Sequence, residues 1–159
     1  MNADPPAAAA SALAFEQLQI GQRFTTASHT VTAEQITAFA TQFDPQPFHL
    51  DAAAARASLF GGLVASGWHT AAITMRLLVD SGLRLAGGSV GLGVTIEWLR
   101  PVRPGDRLHV ESEIIELTPS RSRADRARIT TRNLTRTADG TIVQVAVSRM
   151  LVSRTPPAD

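Results

Sequence analysis

The stretch Phe60-Gly61-Gly62-Leu63-Val64-Ala65-Ser66-Gly67-Trp68-His69-Thr70-Ala71-Ala72 decides the fold. A glycine-rich segment runs directly into residues 67–83, which read as one helix ended by Gly82 and Gly87-Gly88. Its apolar residues (Trp68, Ala71, Ala72, Ile73, Met75, Leu77, Leu78 and Val79) surround the axis instead of forming one stripe. A helix that is apolar nearly all round is expected to be buried nearly all round. One long buried helix needs a sheet wrapped around it.

That sheet is legible downstream. Val90, Leu92, Val94, Ile96 and Trp98 alternate with Gly91, Gly93, Thr95 and Glu97, the pattern of a strand with one buried face. Pro101 to Gly105 form a turn. Leu108, Val110, Ser112 and Ile114 then alternate with His109, Glu111 and Glu113, and the phase slips at Ile115, predicting a bulge or strand end. Residues 124–136 and 141–152 read as two more strands joined by a turn at Asp139-Gly140. Upstream, the first ordered element is expected near Phe15, and Arg23 to Thr30 can form a short strand. Thr32 and Gln35 are spaced as a capping box ahead of a stripe of Ile36, Phe39, Ala40 and Phe43. That helix stops at Asp44-Pro45, because proline disfavours helical geometry in the residue before it. Residues 44–50 read as a stiff loop, and Asp51 can cap the short Ala-rich helix that follows. The expected class is α+β: a curved antiparallel sheet around one long central helix. Residues 15–153 form the domain, with an Ala/Pro-rich tail at 1–14 and a short tail at 154–159. A sheet curled round one helix leaves an edge to protect, so a dimer or larger homo-oligomer is expected.

Composition narrows the chemistry. The chain has 159 residues, 44 % of them hydrophobic and 18 % charged, which fits one domain with a real core. There is no cysteine, so disulfides and thiol chemistry are excluded. The 15 basic residues are all arginine, which excludes a Schiff-base lysine. A net charge of +1 does not suggest a nucleic-acid binder. No apolar run approaches the ~20 residues of a membrane span. No Lys or Arg precedes Ala7 to Ala10, so a signal peptide is not expected and a cytoplasmic protein is.

Two features carry chemistry. Asp44 and His49 are five positions apart on the proline-stiffened segment, and a carboxylate and an imidazole can divide acid and base work. Spacing alone also allows Asp44 as a helix cap and His49 as a loop histidine. The second feature is the start of the 67–83 helix, where unpaired N–H groups and a partial positive charge can hold an oxygen that gains negative charge. Gly67 is the natural donor there, since it lets a ligand approach closely. These glycines also suit tight packing of helix on sheet.

Phe43-Asp44-Pro45-Gln46-Pro47-Phe48-His49-Leu50-Asp51, the 60–72 stretch, and Arg100-Pro101-Val102-Arg103-Pro104-Gly105-Asp106 together resemble the motifs of the MaoC-like dehydratase family, in the right order across about residues 15–153. The resemblance implies the hot-dog fold, usually dimeric or larger. It further implies (R)-specific hydration of a trans-2-enoyl-CoA to a 3-hydroxyacyl-CoA, with the CoA thioester as substrate and no cofactor. Asp44 and His49 would position a water for attack on the β-carbon, the imidazole would exchange the α-proton, and the Gly67 N–H would hold the thioester carbonyl. Gln46, Phe48, Ser66, Trp68 and His69 fall where substrate-binding residues would lie. The motif often has Asn where this chain has Gln46, which keeps the amide on a longer arm.

Other residues are read more plainly. His69 can touch substrate or serve as a core or interface histidine, and Trp68 can line an acyl tunnel or simply pack. His109 falls on the polar face of its strand. His49 and His69 lack HExxH spacing and a third ligand, so no metal site is expected. Arg121, Arg123, Arg126, Arg128, Arg132 and Arg136 could meet the phosphates of CoA, but a solvated strand face is the first reading. Two rival functions remain: a hot-dog thioesterase, which would more often use a carboxylate on or beside the central helix, where this chain has Asp80 only near the far end, and a non-catalytic acyl-CoA-binding or assembly subunit.

Overall fold

The computed structural model describes residues 12–154. After a 3-10 turn at Phe15–Gln17 come strands β1 (Arg23–Thr25) and β2 (His29–Thr30), then helices α1 (Ala33–Phe43), α2 (Pro47–Leu50), α3 (Ala52–Ala57) and α4 (Gly67–Ser81). Four long strands complete the chain: β3 (Ser89–Trp98), β4 (Arg107–Pro119), β5 (Arg126–Thr137) and β6 (Ile142–Ser153). They form one antiparallel sheet in the order β1-β4-β5-β6-β3, with β2 also paired to β4. Helix α4 lies against the sheet, its Ile73 and Leu77 sharing a core with Leu108, Val110 and Val143. This is the hot-dog arrangement.

Local chemistry explains the element ends. The Thr32 hydroxyl accepts the Gln35 N–H at 3.2 Å while the Gln35 side chain accepts the Thr32 N–H at 3.2 Å, closing the capping box of α1. Asp51 accepts the Ala54 N–H at 2.7 Å and caps α3. The register of β4 on β5 shifts between Ile114 and Glu116, the bulge that the phase slip predicts. Gly140, at φ 88°, makes the β5–β6 turn in a conformation that a side chain would strain.

Several expectations need correction. Residues 44–50 are not all loop: Pro47, whose fixed φ suits a first helical position, opens the one-turn helix α2. The Arg23–Thr30 strand is two short strands. Leu13, assigned to the tail, bonds backbone to backbone with Arg84 and packs in the second core cluster; residues 1–11 and 155–159 lie outside the described residues. In α1, Ile36 and Ala40 are fully buried, but Phe43 at the end of the stripe is 69 % exposed.

The largest correction concerns α4 and β3. The helix buries His69, Thr70, Ile73, Thr74 and Leu77 on one side only. Trp68 and Val79 on the other side are 60 % and 64 % exposed. Strand β3 ends the sheet, and its Val90, Leu92 and Val94 stay exposed where a buried face was expected. Periodicity reports that a face is apolar; it does not report whether the covering surface lies in the same chain.

No helix among the described residues is long and apolar enough to cross a membrane. The arginine-rich stretch is matched by acids: Arg132 bonds Glu113 at 3.0 Å, Arg136 bonds Glu111 at 2.9 Å, and Arg126 bonds Asp125 at 3.1 Å. Exposed pairs of this kind contribute little each to stability.

Thr32→Ala should lower unfolding free energy by about 1 kcal/mol, the usual cost of losing such a cap. A chemical denaturation curve would show this as a lower midpoint at unchanged slope.

Candidate active site

Asp44 is the C-cap of α1, and its own N–H is held by the Ala40 carbonyl at 3.0 Å. Three residues on, α2 begins, and its single turn swings His49 back toward the carboxylate. The segment 64–66 receives both. Phe48 accepts the Val64 N–H at 3.4 Å, and His49 Nδ1 lies 2.7 Å from the Val64 carbonyl oxygen. The Ala65 N–H bonds the Val102 carbonyl at 2.8 Å, tying this segment to the turn before β4.

The His49–Val64 contact settles a tautomer. A carbonyl oxygen only accepts, so Nδ1 carries a proton and donates it. In the neutral ring, Nε2 is then left with its lone pair, and it faces Asp44 Oδ2 at 3.4 Å. His49 is 5 % exposed, so its ring has little freedom to turn away.

Asp44 is held as firmly. Oδ2 accepts from the Ser66 hydroxyl at 2.7 Å, and Oδ1 accepts from the Gln46 amide at 3.1 Å. The Ser66 oxygen in turn accepts the Trp68 N–H at 3.2 Å as the N-cap of α4. The Ser66 hydrogen bond is the main reason that the Asp44 pKa sits below the ordinary carboxylate value; desolvation opposes it, and the Gln46 amide and nearby His49 add to it. With the Trp68 N–H occupied, the Gly67 N–H at the first helical position is the neighbouring donor directed out of the helix end. The group that holds Asp44 and the expected oxyanion donor thus sit on adjacent residues at the start of α4.

The other predicted residues divide. Gln46 bonds Asp44. Phe48 lies edge-on to His49 at 4.6 Å and packs against Phe60 at 5.2 Å, forming an apolar wall. Ser66 spends its hydroxyl on Asp44. Trp68 is largely exposed and meets Trp98 edge-on at 5.3 Å. His69 points elsewhere: it stacks on Phe39 at 4.8 Å between α1 and α4, and its Nδ1 has no hydrogen-bond partner among the described residues. Burial, with the nearby His29 as a lesser cause, pushes its pKa down, so it sits as a neutral core ring. Among the described residues no cluster of three His, Asp or Glu side chains is placed to hold a metal ion.

Two participants escape sequence reasoning. The Val64 carbonyl leaves no signal, since any residue supplies one. Trp98 reads only as one apolar position of a strand, yet its indole lies on Gly67: a Cβ on that glycine would come within 2.6 Å of the ring. The close approach that Gly67 permits is therefore made, in part, by a neighbour in the fold.

Comparisons with known proteins agree with this architecture. The MaoC-like domain model matches residues 15–138. The match stops before β6, which nevertheless lies between β5 and β3 in the same sheet. The chain is 35 % identical over 118 residues to the 3-hydroxybutyryl-CoA dehydratase of Methylorubrum extorquens, covering 70 % of each. Its structure is similar to that of a MaoC-like dehydratase from Rhodospirillum rubrum, with TM-score 0.87 and 56 % identity over 91 % of this chain and 99 % of that one. It is also similar to the R-hydratase PhaJ1 of Pseudomonas aeruginosa, with TM-score 0.69 and 26 % identity over 92 % and 95 %. With the motifs in order, the sheet curled over α4, and the family match spanning most of the domain, the chain belongs to the MaoC-like dehydratase family.

Proposed function

We propose that this protein catalyses the reversible hydration of a trans-2-enoyl-CoA to a 3-hydroxyacyl-CoA. The observation that carries the reading is the pairing of two lone pairs. Asp44 Oδ2 and His49 Nε2 lie 3.4 Å apart, and with the carboxylate ionised and the Nδ1-protonated ring neutral, neither donates to the other. A water molecule has two O–H groups and satisfies both acceptors at once, which aims its oxygen lone pair outward. In the forward reaction that oxygen forms a bond to the β-carbon, and its proton passes to His49 Nε2. The π electrons move onto the thioester oxygen as an enolate, which the Gly67 N–H and the N-terminal end of α4 stabilise. The imidazolium then returns the proton to the α-carbon. The sum is H and OH added across one double bond from one face, with enzyme groups restored. Similarity to a 3-hydroxybutyryl-CoA dehydratase and to an R-hydratase supports the same chemistry.

Asp44 must be ionised for this, and Ser66 helps to keep it so. Exposed apolar surface on α4 and β3 also supports a homodimer. Met75 and Val79 of α4, with Val90 and Val94 of the edge strand β3, form exposed apolar surface that a second copy would cover.

Incubation with crotonyl-CoA should bleach the enoyl absorbance, while butyryl-CoA should release no thiol; the reverse pattern would mark a thioesterase, and inertness toward both a non-catalytic subunit. Asp44→Asn and His49→Ala should each lower kcat by a factor on the order of 100 to 10,000, the usual contribution of a positioned acid or base. Ser66→Ala should raise the Asp44 pKa toward its ordinary value in a carbon-detected NMR titration. Because that pKa is depressed in the fold, Asp44 contributes stability above the unfolded carboxylate value and loses it as pH falls through the folded one. The variant should therefore show a shallower loss of Tm on the acid side. Val94→Arg should halve the mass found by sedimentation if β3 lies at the dimer interface.

A further inference from the structure

We propose that Trp98 is a positioning residue of this site: with Gln144 and Thr135 it forms a row across the sheet that fixes where the first turn of α4 presents the Gly67 N–H. The inference rests on the reading of that N–H as the donor to a thioester oxygen.

Strand register sets the row. Trp98 of β3 pairs with Gln144 of β6, and Gln144 pairs in turn with Thr135 of β5. Directly paired residues share one face of a sheet, and here it is the face that meets α4. The helix offers a matching stripe. Gly67, Thr70 and Thr74 follow one another at i, i+3 and i+7, along about 10 Å of one side.

Each meeting point is specific. The indole lies on Gly67, nearest with the two carbons that its rings share, in the volume a side chain there would need. Its N–H donates to Gln144 Oε1 at 2.9 Å. Gln144 Nε2 donates to the Thr74 hydroxyl at 3.1 Å, and Thr74 gives its own proton to the Thr70 carbonyl at 2.9 Å. The Thr135 hydroxyl, 2.7 Å from Thr74 Oγ1, is then the donor in that pair. An indole N–H only donates, so the orientation of the Gln144 amide and the direction of each bond follow from it. Gln144, Thr74 and Thr135 are all buried, where such bonds are strong and costly to break.

An aliphatic row would hold α4 down by area alone, which tolerates a small slide along the helix axis. Hydrogen bonds have a set length and direction, so a slide breaks them. Ser66, the residue before Gly67, is held by Asp44 at 2.7 Å. The start of α4 is thus fixed from two sides, at Ser66 by the carboxylate of the acid–base pair and at Gly67 by Trp98. The indole acts through Gly67 and not on the reacting atoms.

Trp98→Phe and Gln144→Leu cut the same bond from opposite ends. The first keeps a ring against Gly67, and the second keeps the bulk of its side chain. Both are made in the full chain, together with the double variant. Isotope-edited infrared spectra of bound, carbonyl-labelled butyryl-CoA, which cannot be hydrated, read the hydrogen bond on the thioester oxygen; crotonyl-CoA gives kcat and KM. Wild type should lower the carbonyl stretch relative to the free ester. Either single variant should return it toward the free value and lower kcat by about 10- to 100-fold, the scale of a displaced group, with KM little changed. The double variant should lose no more than the larger single one, because the bond is shared. His49→Ala should keep the full carbonyl shift while losing turnover. If one single variant does not fold, the other carries the test. A wild-type carbonyl shift in a folded variant, a loss confined to KM, or losses that add in the double variant overturn the positioning role, and hydration by wild type then leaves the hydratase reading intact. A Trp98-dependent shift without hydration by wild type sinks the hydratase reading alone. Bound butyryl-CoA with an unshifted carbonyl in wild type sinks the Gly67 donor and the positioning role with it.

Discussion

The hydrogen bond from His49 Nδ1 to the Val64 carbonyl is the contact on which the site depends. It sets the proton on one nitrogen, presents the other as a lone pair, and binds the one-turn helix α2 to the segment that leads into α4. When the ring is neutral, the two groups 3.4 Å apart form a cradle for a proton donor. Ser66 does the corresponding work for Asp44 while capping α4, so a single hydroxyl couples the helix end to the ionisation of the carboxylate.

The interior of the sheet shows a second constraint. Ser112, Asn133, Thr135 and Gln144, all polar, are buried on the strands beneath α4. Ser112 donates to Asn133 at 2.7 Å, Asn133 Nδ2 reaches Thr131 at 3.1 Å, and Thr135 and Gln144 both bond the Thr74 hydroxyl of α4. Apolar residues are displaced outward in exchange, onto the free side of α4 and the edge strand β3. Both departures from the simple pattern meet at α4. A polar core that orients side chains and an apolar exterior that invites a second copy are compatible because α4 has a face for each.

Much of this was legible in the residues. The capping box of Thr32 and Gln35, the Asp51 cap, the bulge after Ile114 and the turn at Asp139-Gly140 are local events, decided by side chains within a few positions of one another. The motif around Asp44 and His49 and the glycines before α4 were legible for the same reason. Phe43 failed the prediction because amphipathic spacing cannot say where a stripe runs past the edge of its core. His69 could be placed only when α1 was seen to press Phe39 against it.

The sequence by itself determined which residue types lie at which spacing: an acid and a base on a short stiff segment, a glycine at a helix start, and strands with one apolar face. These follow from local backbone preference and from side-chain period, which act over a few residues. Only the tertiary structure decided the histidine tautomer, the hold of Ser66 on Asp44, the seat of Trp98 on Gly67, and which apolar faces stay uncovered within one chain. Each of those joins residues 15 or more positions apart, or uses a backbone atom that carries no residue identity, or is a matter of which surfaces meet. Such contacts exist only after the sheet has closed over its helix.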